Sequence, residues 1–134
     1  MPKFNYIKQP QFGDFNHWVE NELSAVERSL RSIPTTLVAE DVADTTYTLV
    51  AGDEDKVKCT TNGSAVTVTI PANKFQLGAM VYFEQAGAGA VTLQGDGTAT
   101  VNSRPGLKSA GQYALFFIWH KTNNVWIAGG DLTT

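Results

Sequence analysis

The spacing of apolar residues changes once along the chain, at Pro34. Between Phe15 and Pro34, apolar side chains recur at alternating intervals of four and three residues: Val19, Leu23, Val26, Leu30 and Ile33. This spacing predicts a helix over residues 15–34 with one narrow apolar stripe, and Pro34 ends it. From residue 35 onward the period falls to two, which is typical of β-strands.

Eight short segments of this second part are rich in β-branched and aromatic residues and are separated by Gly, Asn, Asp or Pro. They are TYTLVA, KVKCTT, AVTVTI, AMVYFEQ, AVTLQG, TATV, YALFFIWHK and VWIAGG. The Asn62-Gly63 pair predicts a hairpin, and Gly87 and Gly89 are interpreted as part of another. We therefore expect a mainly β domain over residues 35–134, an antiparallel β-sandwich or barrel of jelly-roll type.

One predicted strand, ALFFIWH, is apolar on both faces. Leu115, Phe117 and Trp119 share one face, and Phe116 and Ile118 share the other. Such a strand either lies between two layers or has one face covered by a neighbouring chain.

The stripe on the predicted helix fits a heptad pattern. Its Leu residues occupy a positions and its β-branched residues occupy d positions, an arrangement that disfavours dimers. We expect a parallel coiled coil that makes the protein a homotrimer. An amphipathic helix that packs on the β-domain is the alternative.

Residues 1–14 combine helix-breaking residues with apolar ones. Pro2, Pro10 and Gly13 prevent regular helix. Four residues are too apolar to be left in water: Phe4, Tyr6, Ile7 and Phe12. We interpret the segment as an extended arm that anchors the protein on a partner surface.

Charge and composition exclude several classes of protein. The 134 residues carry a net charge of −3, and the ten Lys and Arg are scattered, which argues against nucleic-acid binding. No apolar run has the length of a membrane span, so we expect no membrane contact. Cys59 is the single cysteine and cannot form an internal disulfide. Its alternation with Val57 predicts that it points into the core.

Candidate catalytic and metal-binding residues lack the context that such chemistry requires. His17 and His120 are far apart in the chain, and no nucleophile motif accompanies either. The acidic stretch Asp53 to Asp55 lacks the ligand spacing of a calcium loop and is interpreted as a solvated turn. We expect no enzymatic activity, no metal and no cofactor.

Two further features concern partners. Trp119 and Trp126 lie inside strand patterns, which favours core packing over sugar binding. The polar loop NSRPGLKSAGQY carries Arg104 and Lys108 and is the best candidate for a partner contact, with an ordinary connecting loop as the alternative.

Residues 45–132 resemble the small β-domain of tailed-bacteriophage virion proteins, among them fibre tips and head-surface proteins. The resemblance rests on a Tyr-Thr-Leu opening, a Val-Thr-Ile-Pro step, a Gly-Ala-Gly turn and a closing Trp followed by Gly-Asp-Leu, in that order. The helix segment WVENEL is also similar to helices of phage structural proteins. The resemblance implies a trimeric, non-enzymatic component of the virion.

Two functions fit this resemblance. The first is a capsid decoration or head-fibre protein that is made in the host bacterial cytoplasm and docks on the major capsid protein or another virion protein. The second is a small tail-fibre or adaptor protein whose β-tip binds a host receptor, a surface glycan or another fibre protein. The predicted helix is only about 25 to 30 Å long, too short for the shaft of a long fibre, and this favours the first.

Overall fold

A computed structural model describes residues 36–134 of the chain. This part contains eleven strands and one 3₁₀ turn, Asp53–Asp55, and no α-helix. The strands are β1 Val38–Val42, β2 Thr46–Thr48, β3 Lys56–Thr60, β4 Val66–Ile70, β5 Met80–Gln85, β6 Val91–Gly95, β7 Thr100–Ser103, β8 Lys108–Ser109, β9 Leu115–Thr122, β10 Val125–Gly130 and β11 Leu132–Thr133. The predicted arm and helix, residues 1–14 and 15–34, lie outside the described residues.

The first six strands alternate between two sheets. Strands β1, β3 and β5 run parallel in the first sheet, with Val57 opposite both Ala39 and Tyr82. Strands β2, β4 and β6 run parallel in the second sheet, with Val68 opposite both Tyr47 and Leu93. The chain therefore winds through both sheets in successive coils, like a short solenoid.

The remaining strands close this winding. In the first sheet β9 lies antiparallel to β5, β10 antiparallel to β9, and β7 parallel to β10. In the second sheet β8 lies antiparallel to β6, and β11 antiparallel to β8. The strand orders are β1-β3-β5-β9-β10-β7 and β11-β8-β6-β4-β2.

The prediction of an antiparallel, jelly-roll-like sandwich or barrel was wrong, although the domain is mainly β. Five of the nine strand pairings among residues 36–134 are parallel. The hairpins predicted at Asn62-Gly63 and at Gly87 and Gly89 were also wrong, because each of these turns leads from one sheet to the other. Turn residues specify a bend of the backbone, but they do not specify which sheet the next strand enters.

The two sheets share one hydrophobic core. The first sheet contributes Phe83, Phe116 and Trp126, and the second contributes Val68 and Leu93, all at most 2 % exposed. The rings of Phe83 and Phe116 stack with their centroids 5.2 Å apart. Burial of each such side chain contributes about 1.5 to 3 kcal/mol, so this core is the main source of stability.

Successive coils approach each other closely at one end of the sheets, where the turn after β5 lies against the turn after β3. The Gly89 N–H donates a hydrogen bond to the Asn62 carbonyl at 3.0 Å. The Asn62 side chain in turn donates to the Ala43 carbonyl of the preceding turn, at 2.8 Å. A Cβ atom on Gly87 or Gly89 would overlap the backbone of this neighbouring turn. Only glycine allows this approach.

Replacement of Gly89 by alanine tests the stacking of the turns. We expect Gly89→Ala to lower the free energy of unfolding by about 3 kcal/mol, because the new methyl group meets the rigid Ser64 carbonyl. Gly63→Ala is the matched control, since a Cβ there meets no atom within 4 Å. It should change stability by less than about 0.5 kcal/mol. Equal urea midpoints for the two variants would contradict the prediction.

Candidate interaction surface

Strand β9 presents two different apolar faces. Its inner face carries the buried Phe116, Ile118 and His120. Its outer face carries Leu115 and Trp119, which are 63 % and 39 % exposed, with the half-buried Phe117 between them. The predicted doubly apolar strand is therefore confirmed. Within residues 36–134 no second layer covers its outer face, so cover by a neighbouring chain stays a prediction.

Neighbouring strands extend this surface into a continuous apolar band. Tyr82 of β5 lies opposite Phe117, and their ring centroids are 6.1 Å apart. Trp119 has Met80 on one side and Ile127 of β10 on the other. We define the apolar band as Val57, Met80, Tyr82, Leu115, Phe117, Trp119 and Ile127. None of these seven side chains is charged.

A groove of about 430 Å³ lies at one end of the apolar band. Its walls include Leu37, Val57 and Leu115, and Gly130 lies at its side. The ring of Phe117 lies close over Gly129, where a Cβ atom would meet the ring at 2.9 Å. Gly129 on β10 thus allows the Phe117 ring to lie in this position. The groove combines an apolar lining with an open, water-facing side.

The sequence-predicted site residues fall elsewhere. The predicted oligomerisation residues Val19, Leu23, Val26, Leu30 and Ile33 and the predicted anchoring residues Phe4, Tyr6, Ile7 and Phe12 lie outside the described residues. Arg104 and Lys108 are both exposed, but Lys108 belongs to β8 of the second sheet. The loop that carries them is interrupted by this strand and does not belong to the apolar band.

The tryptophans divide between the core and the surface. Trp126 is 1 % exposed, as the strand pattern predicted, and its ring stacks on that of His120 at 4.4 Å. Trp119 lies on the outer face, so the prediction of core packing was wrong there. His120 Nδ1 lies 2.8 Å from the Gln76 carbonyl, and its Nε2 accepts a hydrogen bond from the Asn124 N–H at 3.1 Å. Both ring nitrogens of His120 therefore contact the backbone of neighbouring loops.

Lys58 is the centre of a buried polar cluster that sequence reasoning missed. Its side chain is 1 % exposed and lies on the inner face of β3, beside Phe83. Its Nζ donates hydrogen bonds to Asp53 Oδ1 at 3.0 Å and to Glu40 Oε1. It also lies 4.8 Å from the centre of the Tyr47 ring. A buried cation is costly unless it is paired, and here two carboxylates pair with it.

The Asp53 side chain, like that of Lys58, is buried and hydrogen-bonded. It is 1 % exposed, so the interpretation of Asp53 to Asp55 as a solvated turn was wrong at this residue. Asp53 Oδ2 accepts hydrogen bonds from the Tyr47 hydroxyl at 2.8 Å and from the Val50 N–H at 2.9 Å. The 3₁₀ turn before β3 delivers this carboxylate to the inner face of the sheet.

The charges of the cluster shift its pKa values. Hydrogen bonds from Lys56 and Lys58 lower the pKa of Glu40 to about 2. Burial by itself would lower the pKa of Lys58, but its hydrogen bonds to Glu40, Tyr47 and Asp53 outweigh burial and raise the pKa above the ordinary value. Burial raises the pKa of Tyr47. The lysine is an ammonium and Glu40 a carboxylate at neutral pH.

No three His, Cys, Asp or Glu side chains converge into a metal-binding group in the part of the chain that the structure describes. Nor does any helix of residues 36–134 have the length and apolar character needed to cross a membrane. Comparison of the chain with protein-family models, curated proteins and solved structures gives no significant match.

Cys59 is 6 % exposed, so its predicted burial is confirmed, but it lies outside the cluster of core residues that the two sheets share. It lies opposite Glu84, on the outer face of the first sheet. Burial is the main cause that raises the pKa of the Cys59 thiol to about 11, and the neighbouring Glu84 adds to this effect. The thiolate is the reactive form of cysteine, so this environment suppresses reaction.

The reactivity of Cys59 tests this placement. At pH 8 the folded protein should react with a disulfide reagent such as Ellman's reagent about a hundredfold more slowly than the protein unfolded in guanidinium, because so little thiolate is present. Absorbance of the released thiol measures both rates. Rapid reaction of the folded protein would place Cys59 in contact with solvent.

Proposed function

We propose that this protein is a non-enzymatic structural component of a bacteriophage virion. It acts as a homotrimeric capsid decoration or head-fibre protein and docks through its N-terminal arm on the major capsid protein or another virion protein. The observation that carries the assembly part of the proposal is the apolar band, a set of adjacent apolar side chains partly exposed to water on the outer face of the first sheet, with Glu84 at its edge opposite Leu115. The attribution to a virion rests on the resemblance of residues 45–132.

Subunit contact explains the apolar band better than a solitary domain does. Monomeric proteins rarely expose contiguous apolar patches of this kind, whereas interfaces between subunits are built from them. Leu115 and Trp119 project from the middle of the sheet, and Met80 and Ile127 flank Trp119. In a trimer the band of each subunit meets a neighbouring copy. The coiled coil predicted for residues 15–34 adds a second, independent contact along the trimer axis.

A second function is favoured by one observation, the exposure of Trp119. An exposed indole that is held between Met80 and Ile127 offers a flat apolar surface to a ligand. A tail-fibre or adaptor protein would use such a surface on a host glycan or receptor. Binding to a glycan array that depends on Trp119, together with location on the tail, distinguishes this function from decoration of the head.

A charge placed in the apolar band tests the trimer. We expect the wild-type chain to have the mass of a trimer in multi-angle light scattering and Leu115→Glu to dissociate, because each buried unpaired carboxylate costs about 3 to 5 kcal/mol. Leu77→Glu is the matched control, since Leu77 is 65 % exposed but lies in the loop before β5. It should remain trimeric. A wild-type monomer at tens of micromolar, or a Leu115→Glu trimer, would refute this interface.

Removal of residues 1–14 tests the anchoring arm. The truncated chain should form the same trimer with nearly the same melting temperature, yet be missing from assembled particles. Each apolar anchor contributes about 1.5 to 3 kcal/mol, and three arms on one trimer act together. Quantitative mass spectrometry of purified virions measures the copy number. Incorporation of the truncated chain at the normal copy number would rule the anchor out.

A further inference from the structure

We infer that Lys58 and Asp53 are joined by an amide bond between their side chains, which the protein forms by itself after folding. The structure brings together the nucleophile, the electrophile, a proton acceptor and two donors that stabilise the oxyanion. This inference does not depend on the proposed function.

The two reacting groups face each other inside the domain. Lys58 Nζ lies 3.0 Å from Asp53 Oδ1, and both side chains are at most 2 % exposed. Reacting groups held in contact gain a large advantage over groups that must meet by diffusion. Burial also keeps bulk water away from the carbonyl carbon, so hydrolysis does not compete with the amine.

Glu40 supplies the proton acceptor. Its Oε1 contacts the same Lys58 Nζ, and its side chain is 43 % exposed. It therefore reaches the amine from the water-facing side of the cluster, where a released water molecule also leaves. Lys56 donates to the other oxygen of Glu40 at 2.6 Å and fixes the carboxylate in place.

The remaining oxygen of Asp53 lies in a pair of hydrogen-bond donors. The Tyr47 hydroxyl and the Val50 N–H both donate to Oδ2. When an amine adds to the carboxyl carbon, negative charge builds up on this oxygen. Donors that are already in position stabilise such an oxyanion without further rearrangement.

The reaction is a condensation that balances without an oxidant or a cofactor. One proton passes from the Lys58 ammonium through Glu40 to Asp53 Oδ1, and the free amine adds to Cγ to form the C–N bond. A second proton then passes from the nitrogen through Glu40 to the same oxygen. The C–Oδ1 bond breaks, water leaves, and the C=Oδ2 bond reforms. Glu40 ends as the carboxylate it was at the start.

The pKa of Lys58 is raised and that of Glu40 is lowered, so the uncharged amine and the protonated Glu40 are both rare at any moment, and we expect the bond to form slowly. The bond needs to form only once in each chain, so slow formation suffices. The product replaces a buried ion pair by a neutral amide. It also ties the turn at Asp53–Asp55 to the strand that follows it.

The intact mass of the purified, folded full chain tests the inference directly. The wild-type protein should be lighter than its sequence mass by one water molecule. Tandem mass spectrometry of the digest should place the loss on Asp53 and Lys58, and trypsin should fail to cleave after Lys58. An aged, folded sample at full sequence mass overturns the inference, and so does a water loss that maps to Glu40 or to any other pair.

Three variants separate the roles in the cluster. Lys58→Met should have its full sequence mass, and a persisting water loss there would identify a succinimide or another unrelated product. Glu40→Gln should form the product about a hundredfold more slowly, because it retains hydrogen bonding but no longer accepts a proton. Lys121→Gln is the charge-matched control, since Lys121 is exposed on β9 and does not belong to the cluster. It should lose one water at a rate within tenfold of the wild type. A Glu40→Gln protein that forms the product at the wild-type rate refutes the role given to Glu40.

Discussion

The close approach of successive coils is the constraint on which the rest of this domain depends. The chain passes from one sheet to the other and back, and each turn must lie directly against the one before it. Gly87 and Gly89 make this possible, because a larger residue would meet the backbone of the turn at Asn62 and Ser64. Asn62 then bonds to the turns on both sides of it. The parallel pairing of β1, β3 and β5 follows from this stacking, as does that of β2, β4 and β6.

The winding of the chain through two sheets leaves one face of each sheet on the outside of the domain. The inner faces of the two sheets pack against each other in one core. Each outer face is therefore left to water or to a partner. In the first sheet β9 is apolar on both sides, and its outer residues lie in register with those of β5 and β10. The apolar band is therefore built by the register of three strands. Its continuity distinguishes it from a set of scattered exposed residues and is the basis of the proposed subunit contact.

In the Lys58 cluster, the alternation of side chains along β3 leads to the wrong assignment of its buried and exposed faces. In the segment KVKCT, alternation separates two lysines from Val57 and Cys59, and hydrophobicity predicts that the lysines face water. The structure reverses this assignment, because the 3₁₀ turn before β3 delivers Asp53 to the inner face and β1 delivers Glu40 to Lys58. The acidic stretch just before the strand was the available signal. Its meaning depends on Glu40 of β1, a strand that was not among the predicted segments.

The sequence by itself determined where eight of the eleven described strands lie, that Trp126 is buried, and that β9 is apolar on both faces, because strand propensity and period-two alternation are local properties. It did not determine strand pairing, and β1, β8 and β11 were missed. Strands β8 and β11 have only two residues each and therefore no period to detect, and β1 (VAEDV) carries two acidic residues in its five. Which sheet a strand enters, whether its neighbour is parallel, and which face of β3 is buried were decided only by the tertiary structure. These choices depend on contacts between residues far apart in the chain, such as Gly89 with Asn62 and Lys58 with Glu40. No local sequence pattern encodes those contacts. Each of these residues could pair with several others until the two sheets pack around one core.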